Sequence, residues 1–165
     1  MHNYLLERGV AHEIVHLPAL STTAKRAADL LGVPLRDVVK SLLFVTEKGP
    51  AVALVPGDAQ VNPRLLRKAL KVKRATLAPP ADVLATTGFR PGALPPCGLA
   101  LELPVTADPT VFESPVLYCG GGTSTTMLKI RSEELRECVQ PQLATIAERP
   151  SGGARAARFA DRGSG

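Results

Sequence analysis

The sequence of 165 residues lacks the hallmarks of membrane and secreted proteins. It contains no run of about 18 or more apolar residues, so we expect no membrane-spanning helix and no membrane partner. The first residues, Met1-His2-Asn3-Tyr4, lack the basic-then-apolar order of a signal peptide. The sequence therefore predicts a cytoplasmic protein.

Cysteine and histidine are also scarce. Cys97, Cys119 and Cys138 are an odd, widely spaced set without a Cys-x-x-Cys pair, which disfavours a disulfide framework and a zinc site. We find no other cluster of metal ligands and expect neither metal nor cofactor. The three histidines all precede residue 17, so no nucleophile–base pair is evident, and a bound water is the simpler attacking group.

What the chain does contain is enough apolar sequence for one domain, and an excess of positive charge. The hydrophobic content of 45% suits a single core, which we place in residues 1–149. Residues 150–165 have too little apolar content to pack and are expected to form a disordered basic tail. The net charge of +5 favours an anionic partner and is compatible with nucleic acid.

One strand-like segment stands out, because Val38-Val39-Lys40-Ser41-Leu42-Leu43-Phe44-Val45 carries a lysine inside an apolar run. Side chains alternate along a strand, so Lys40 shares a face with Val38, Leu42 and Phe44. An unpaired buried charge is costly. Lys40 is therefore expected to reach an edge, pair with an acid, or point into a wet pocket to hold an anion or react.

Periodicity and capping signals predict an alternation of short helices and strands. Helices are predicted over residues 4–8, from a cap at Ser21 or Thr22 to Gly32, from the Asn62 cap through 70, over 80–87, and after a cap at Ser132. Strands are predicted over residues 11–17, 38–45, 51–55, 99–103, 116–119 and 127–130, the second and third forming a hairpin.

The helix after Asn62 has two different faces. Arg64, Arg67, Lys68 and Lys71 recur at spacings of three and four, and Lys73 and Arg74 continue the positive charge. Such a face is either a solvated surface or a site that contacts a phosphate backbone.

Two glycine-rich segments are candidate loops. The first mixes glycine and proline in the segment Gly88-Phe89-Arg90-Pro91-Gly92-Ala93-Leu94-Pro95-Pro96-Cys97-Gly98. Such a mixture is typical of a rigid loop that forms a pocket wall, or of a plain connector. Gly120-Gly121-Gly122 matches no phosphate-loop or dinucleotide fingerprint, and a hairpin turn is the safer interpretation.

In these motifs the chain resembles the YbaK-type family, relatives of the editing domain inserted in bacterial prolyl-tRNA synthetases. The likeness rests on His16 and Pro18, the STTAKRAADLLGV helix, VVKSLLF, TGFRPGALPPCG, and CGGG leading to MLKIRSEEL. The resemblance implies an α/β fold with a mixed, curved, partly barrel-like sheet and surrounding helices. It also implies hydrolysis of amino acids wrongly attached to tRNA, usually tRNA for proline, with a synthetase as a further possible partner.

The resemblance assigns roles to individual residues. Lys40 would hold a phosphate near the terminal adenosine, and backbone groups of the loop beginning at Gly92 would position the ester carbonyl. The substrate's own ribose hydroxyl would assist the attacking water. Further substrate-binding positions implied by the family are Thr23, Ser41, Ala93, Leu94, Pro95, Pro96, Gly98, Cys119, Gly120, Gly121 and His16.

Departures from the family leave the substrate open. Ser41 and Cys119 stand where cysteine-removing relatives have threonine and a small hydroxyl residue, and Ile14 replaces an aromatic residue. The alanine-specific subgroup is disfavoured, since its asparagine after the lysine is missing.

Other interpretations stay open as well. Cys97 or Cys119 could be a nucleophile or a buried apolar group, and His16 could touch a nucleotide or end a strand. The chain could also be a non-catalytic module that binds tRNA or a synthetase. A third alternative makes Lys40 a Schiff-base nucleophile, which borohydride trapping would reveal.

Overall fold

A computed structural model of the chain describes residues 1–151. The five α-helices of this part are α1 (His2–Glu7), α2 (Ala24–Leu31), α3 (Pro63–Leu70), α4 (Pro80–Thr87) and α5 (Ser132–Val139), and two short 3-10 helices span Leu35–Asp37 and Pro109–Glu113. The strands are β1 (His12–His16), β2 (Val38–Thr46), β3 (Gly49–Pro56), β4 (Gln60–Val61), β5 (Ala75–Leu77), β6 (Val105–Ala107), β7 (Val116–Gly120), β8 (Thr126–Arg131), β9 (Gln142–Leu143) and β10 (Ala147–Glu148). Within this part, no helix is both long and apolar enough to cross a membrane.

Most strands join one mixed sheet in the order β1-β8-β7-β2-β3-β6-β9. The β2–β3 and β7–β8 pairs are antiparallel hairpins, whereas β2–β7 and β3–β6 are parallel. The two short strands β4 and β10 form a separate pair. The expected α/β class with a mixed sheet is confirmed.

The central strand β2 has an interrupted edge. On the side away from β3, β2 pairs with β7 at Val38 and Val39, and with β5 only from Phe44 to Thr46. The residues between these two ladders have no strand partner on that side. The sheet therefore has a gap along this edge of β2 beside Lys40, which no local sequence pattern predicts.

Three helix limits, two C-terminal and one N-terminal, lie where the sequence predicts. Gly32 and Gly88 follow α2 and α4 in the left-handed conformation that suits glycine. The Asn62 side chain accepts hydrogen bonds from the backbone N–H groups of Arg64 and Leu65 at the start of α3. At α2 the prediction needs correction, because the capping residue is Thr23, whose hydroxyl accepts from the Arg26 N–H at 3.2 Å.

Two other local predictions are wrong. Residues 99–103 form no strand, and pairing with β3 begins only at Val105, beyond Pro104, which cannot donate to a ladder. Ser132 is the first residue of α5 and not its cap, since its N–H donates to the Pro115 carbonyl and Arg131 occupies the cap position. The predicted tail beginning at residue 150 lies outside the described residues apart from its first two.

A buried carboxylate ties the end of the described chain to the sheet. Asp108, 2% exposed, accepts hydrogen bonds from the N–H groups of Thr110, Ile146 and Ala147 at 2.8–3.0 Å. Burial alone would raise the pKa of Asp108, but the bonds from Thr110 and from these backbone groups outweigh it and lower the pKa below its ordinary value. The carboxylate is therefore a charged structural anchor.

Candidate active site

The start of α2, the open edge of β2 and the glycine-proline loop enclose a cavity of about 380 Å³, here called the Lys40 cavity. Its walls are residues 21–25 and Ala27, residues 38–42, Gly57, Gly92, Leu94, Gly120 and Met127. The backbone N–H groups of Ala24 and Lys25, in the first turn of α2, have no intrahelical acceptor, and both residues line this wall. The positive end of the helix dipole therefore faces the cavity and suits an anion or a developing oxyanion.

Lys40 is half-buried in this cavity. Its ammonium donates to the carbonyl of Ala59, which leaves further N–H donors for another partner. Burial lowers the pKa of Lys40 below its ordinary value, and the nearby Asp58 carboxylate offsets part of this effect. Lys40 forms no close ion pair within the described part of the chain. Binding of an anion would therefore stabilise its partly desolvated ammonium.

Close backbone contacts fix the loop that closes the cavity. Gly92 has a φ of +81°, and a Cβ at this position would lie 2.5 Å from the Thr22 carbonyl oxygen. A Cβ on Gly120 would lie 2.4 Å from the Leu94 carbonyl oxygen. Both positions require glycine, because the loop packs directly against α2 on one side and the end of β7 on the other.

Ser41 lies on the part of β2 whose edge lacks a strand partner. The Ala78 N–H donates to the Leu43 carbonyl, so backbone groups two residues away, at Ser41, point to the same side, where β2 has no strand partner. The Ser41 hydroxyl is buried without a hydrogen-bond partner in the described structure. A ligand in the cavity can meet these backbone groups, whereas side-chain alternation places the Ser41 hydroxyl on the face of β2 opposite the Lys40 side chain.

The structure brings together one part of the predicted site. Lys40, Ser41, Thr23, Gly92, Leu94 and Gly120 all line the Lys40 cavity. Ala93 lines a neighbouring cavity, and Pro96 and Gly98 line a third one that also contains Cys97 and Cys138. Pro95 is buried beside Leu94, and Gly121 donates to the Thr126 carbonyl at the hairpin turn.

His16 and the cysteines lie outside the Lys40 cavity. His16 is exposed on β1 opposite Thr126. Cys119 is fully buried in the core, and burial raises its pKa. Burial also raises the pKa of Cys97 to about 12. Two thiols that resist ionisation in this way are poor nucleophiles, which favours their interpretation as apolar packing groups.

The basic face predicted on α3 forms part of a larger positive surface. Leu66 packs inward, while Arg64, Lys68 and Lys71 are exposed and Arg67 is partly exposed. The tip of the β2–β3 hairpin joins this face, because Lys48 donates to the Lys71 carbonyl at 2.9 Å.

A carboxylate orders the chain next to this surface. Glu47 accepts hydrogen bonds from the N–H groups of Lys73 and Arg74 at 2.5 and 3.0 Å. These bonds lower the pKa of Glu47. Lys48, Lys73 and Arg74 therefore extend the cationic area of α3, and the contribution of Lys48 depends on tertiary contacts.

The chemistry of the Lys40 cavity is that of binding and positioning. None of the described residues that line it carries a carboxylate or an imidazole, the side chains that most often act as general bases. They supply an ammonium, hydroxyls, glycine backbone and helix N–H groups. Such groups hold an anionic substrate and stabilise negative charge on a carbonyl oxygen.

Known proteins with similar sequences and structures show which family this chain belongs to. The family model of the aminoacyl-tRNA editing domain matches residues 18–138, and the chain belongs to this family. A solved structure described provisionally as a trans-editing enzyme for prolyl tRNA synthetase superimposes with a TM-score of 0.83 at 32% identity, covering 89% of this chain and 94% of that one.

Two sequence relatives differ in how much of their own length this chain matches. The proline–tRNA ligase of Fervidobacterium nodosum is 39% identical over 87 residues, 53% of this chain but only 15% of the ligase. The uncharacterized protein YwhH of Bacillus subtilis is 28% identical over 127 residues, 76% of this chain and 80% of that protein. The chain thus matches a small part of the synthetase and most of a small protein.

Proposed function

We propose that this protein is a trans-acting deacylase that hydrolyses the ester of a mischarged small amino acid on tRNA for proline. The observation that carries the proposal is the joint presence of the Lys40 ammonium and the Gly92 backbone in one cavity of about 380 Å³. Family membership and the likeness to a prolyl-related editing structure support the substrate class. Such an enzyme acts in the cytoplasm, where tRNA is charged.

In this proposal the protein positions the reactants and a water attacks the ester. Lys40 binds a phosphate at the acceptor end of the tRNA, as a compact charge with free donors can do. The loop at Gly92 and the N–H groups of α2 hold the ester carbonyl and stabilise its developing charge. The substrate's ribose hydroxyl assists the water, since the described cavity walls contribute no carboxylate or imidazole.

The apolar walls and the unpaired backbone edge at Ser41 suit a small amino acid such as cysteine, serine or threonine. Val38, Leu42 and Met127 limit the space, while the backbone N–H and C=O of Ser41, on the edge of β2 without a strand partner, offer hydrogen bonds. A buried polar group discriminates strongly, because a substrate that fails to pair with it leaves it unsatisfied. The positive surface of α3 contacts the tRNA backbone outside the cavity.

The test measures the release of the amino acid from tRNA for proline that has been charged with cysteine, serine or alanine. Lys40→Ala should lower kcat/KM roughly 10- to 100-fold, as expected for a lost charge-assisted hydrogen bond to the substrate. Lys129→Ala is the matched control, because Lys129 pairs with Glu13 at 3.1 Å on β8 and does not line the cavity.

Two results would contradict the proposal. Wild-type inactivity on a full panel of mischarged tRNAs would remove the deacylase assignment. Salt-sensitive tRNA binding without hydrolysis would favour a non-catalytic tRNA-binding module of the same fold.

A further inference from the structure

A second cavity adjoins the Lys40 cavity across the glycine-proline loop. It has a volume of about 490 Å³ and shares Ser21, Thr22 and Gly92 with the first cavity. The two are therefore separated by the point where Gly92 packs against the Thr22 carbonyl. We call this second space the Phe89 cavity.

One wall of the Phe89 cavity is an aromatic ring that its neighbours hold in place. The buried Thr87 hydroxyl accepts a hydrogen bond from the Phe89 N–H at 3.1 Å and fixes the backbone. On the other side, a Cβ added to Gly122 would lie 3.1 Å from Cε1 of Phe89, so the ring edge rests against the hairpin turn. Phe89 is only partly buried and lines the cavity.

The rest of the wall is polar and cationic. Arg90 is exposed at this cavity and forms no ion pair within the described part of the chain. Thr123 and Ser124 of the β7–β8 turn add hydroxyl groups. An aromatic surface beside an unpaired guanidinium and hydroxyls combines the groups that proteins use to bind single-stranded nucleic acid.

We propose that the Phe89 cavity binds an unpaired nucleobase at the acylated end of the tRNA, with its phosphate near Arg90. The inference rests on the proposed deacylation, because an aminoacyl ester in the Lys40 cavity belongs to a single-stranded RNA end whose other nucleotides need a place nearby. The Phe89 cavity lies next to the Lys40 cavity, because Ser21, Thr22 and Gly92 line both. Its cation complements the RNA backbone.

The experiment compares two ester substrates that differ in length. One is an aminoacyl ester of adenosine monophosphate, and the other is the same ester on a short oligonucleotide with the tRNA 3′ sequence. Phe89→Leu removes the aromatic face and keeps an apolar side chain, and Arg90→Ala removes the cation from an exposed position. Arg131→Ala is the control, since Arg131 is exposed and lines neither cavity.

Both variants should lower kcat/KM for the oligonucleotide ester, Phe89→Leu by roughly 5- to 150-fold if one stacked base is lost. Both should leave the mononucleotide ester unchanged. An equal loss on both esters, or no loss on either, would overturn the inference. Thermal unfolding of each variant shows whether the fold is retained, and Arg90→Ala tests the site even if Phe89→Leu fails to fold.

A second measurement does not depend on hydrolysis. The fluorescence of 2-aminopurine, placed in turn at each of the last three positions of an uncharged oligonucleotide, should be quenched at one position by the wild type and not by Phe89→Leu. No quenching at any position would refute the base site. Quenching by a protein that hydrolyses neither ester would uphold it while the deacylase assignment fails.

Discussion

Gly92 offers the sharpest test of how the site is built. Replacing Gly92 with alanine introduces two separate effects. The residue has a φ of +81°, which costs an L-residue roughly 1–2 kcal/mol. In addition, the new Cβ would lie 2.5 Å from the Thr22 carbonyl oxygen, so loop and helix start must move apart.

Gly9 separates these two effects. It has a φ of +65° and nothing within 4 Å of an added Cβ, so Gly9→Ala carries the backbone strain without the contact. We expect Gly9→Ala to lower the free energy of unfolding by roughly 1–2 kcal/mol and to leave deacylation unchanged. Gly92→Ala should lose at least as much stability.

The functional consequence follows from the required displacement. The Gly92 loop and the segment that leads into α2 form adjoining walls of the Lys40 cavity, and a misplacement of about 1 Å can cost ~100-fold in rate. We therefore expect kcat/KM of Gly92→Ala to fall about 100-fold, measured on charged tRNA alongside denaturant unfolding. A folded Gly92→Ala protein with wild-type kcat/KM would refute the idea that this loop positions the ester.

Two further predictions concern stability and tRNA binding. Asp108→Asn should lower the free energy of unfolding at neutral pH by roughly 1.5–3 kcal/mol, because buried hydrogen bonds lose their charged acceptor. The folded pKa of Asp108 is depressed, so its contribution exists above the ordinary carboxyl pKa and is lost as the pH falls through the folded pKa. Acid should thus destabilise the wild type more than Asp108→Asn in denaturant titrations below about pH 4, and parallel pH profiles would contradict this. Replacing Lys68 and Lys71 together with alanine should reduce the slope of log K for tRNA against log salt by roughly 1 to 2 if both contact phosphates. An unchanged slope would place the tRNA elsewhere.

Local chemistry determined most helix limits and the main hairpins from the sequence alone. Asn62 and the glycines at 32 and 88 act on backbone within their own turn, so their effect is readable without the fold. The failed strand prediction has a tertiary origin. Residues 99–103 have an apolar composition that fits a strand, but strand formation requires a partner, and none lies beside them.

The sequence by itself therefore determined the fold class, the family likeness and the unusual lysine at position 40. Only the tertiary structure decided that one edge of β2 lacks a strand partner beside Ser41, that Gly92 contacts Thr22, and that Lys48 joins the surface of α3. The physical reason is that capping and periodicity depend on neighbours in the chain. Cavities and shared charge depend on which distant segments pack together, and no local pattern specifies that.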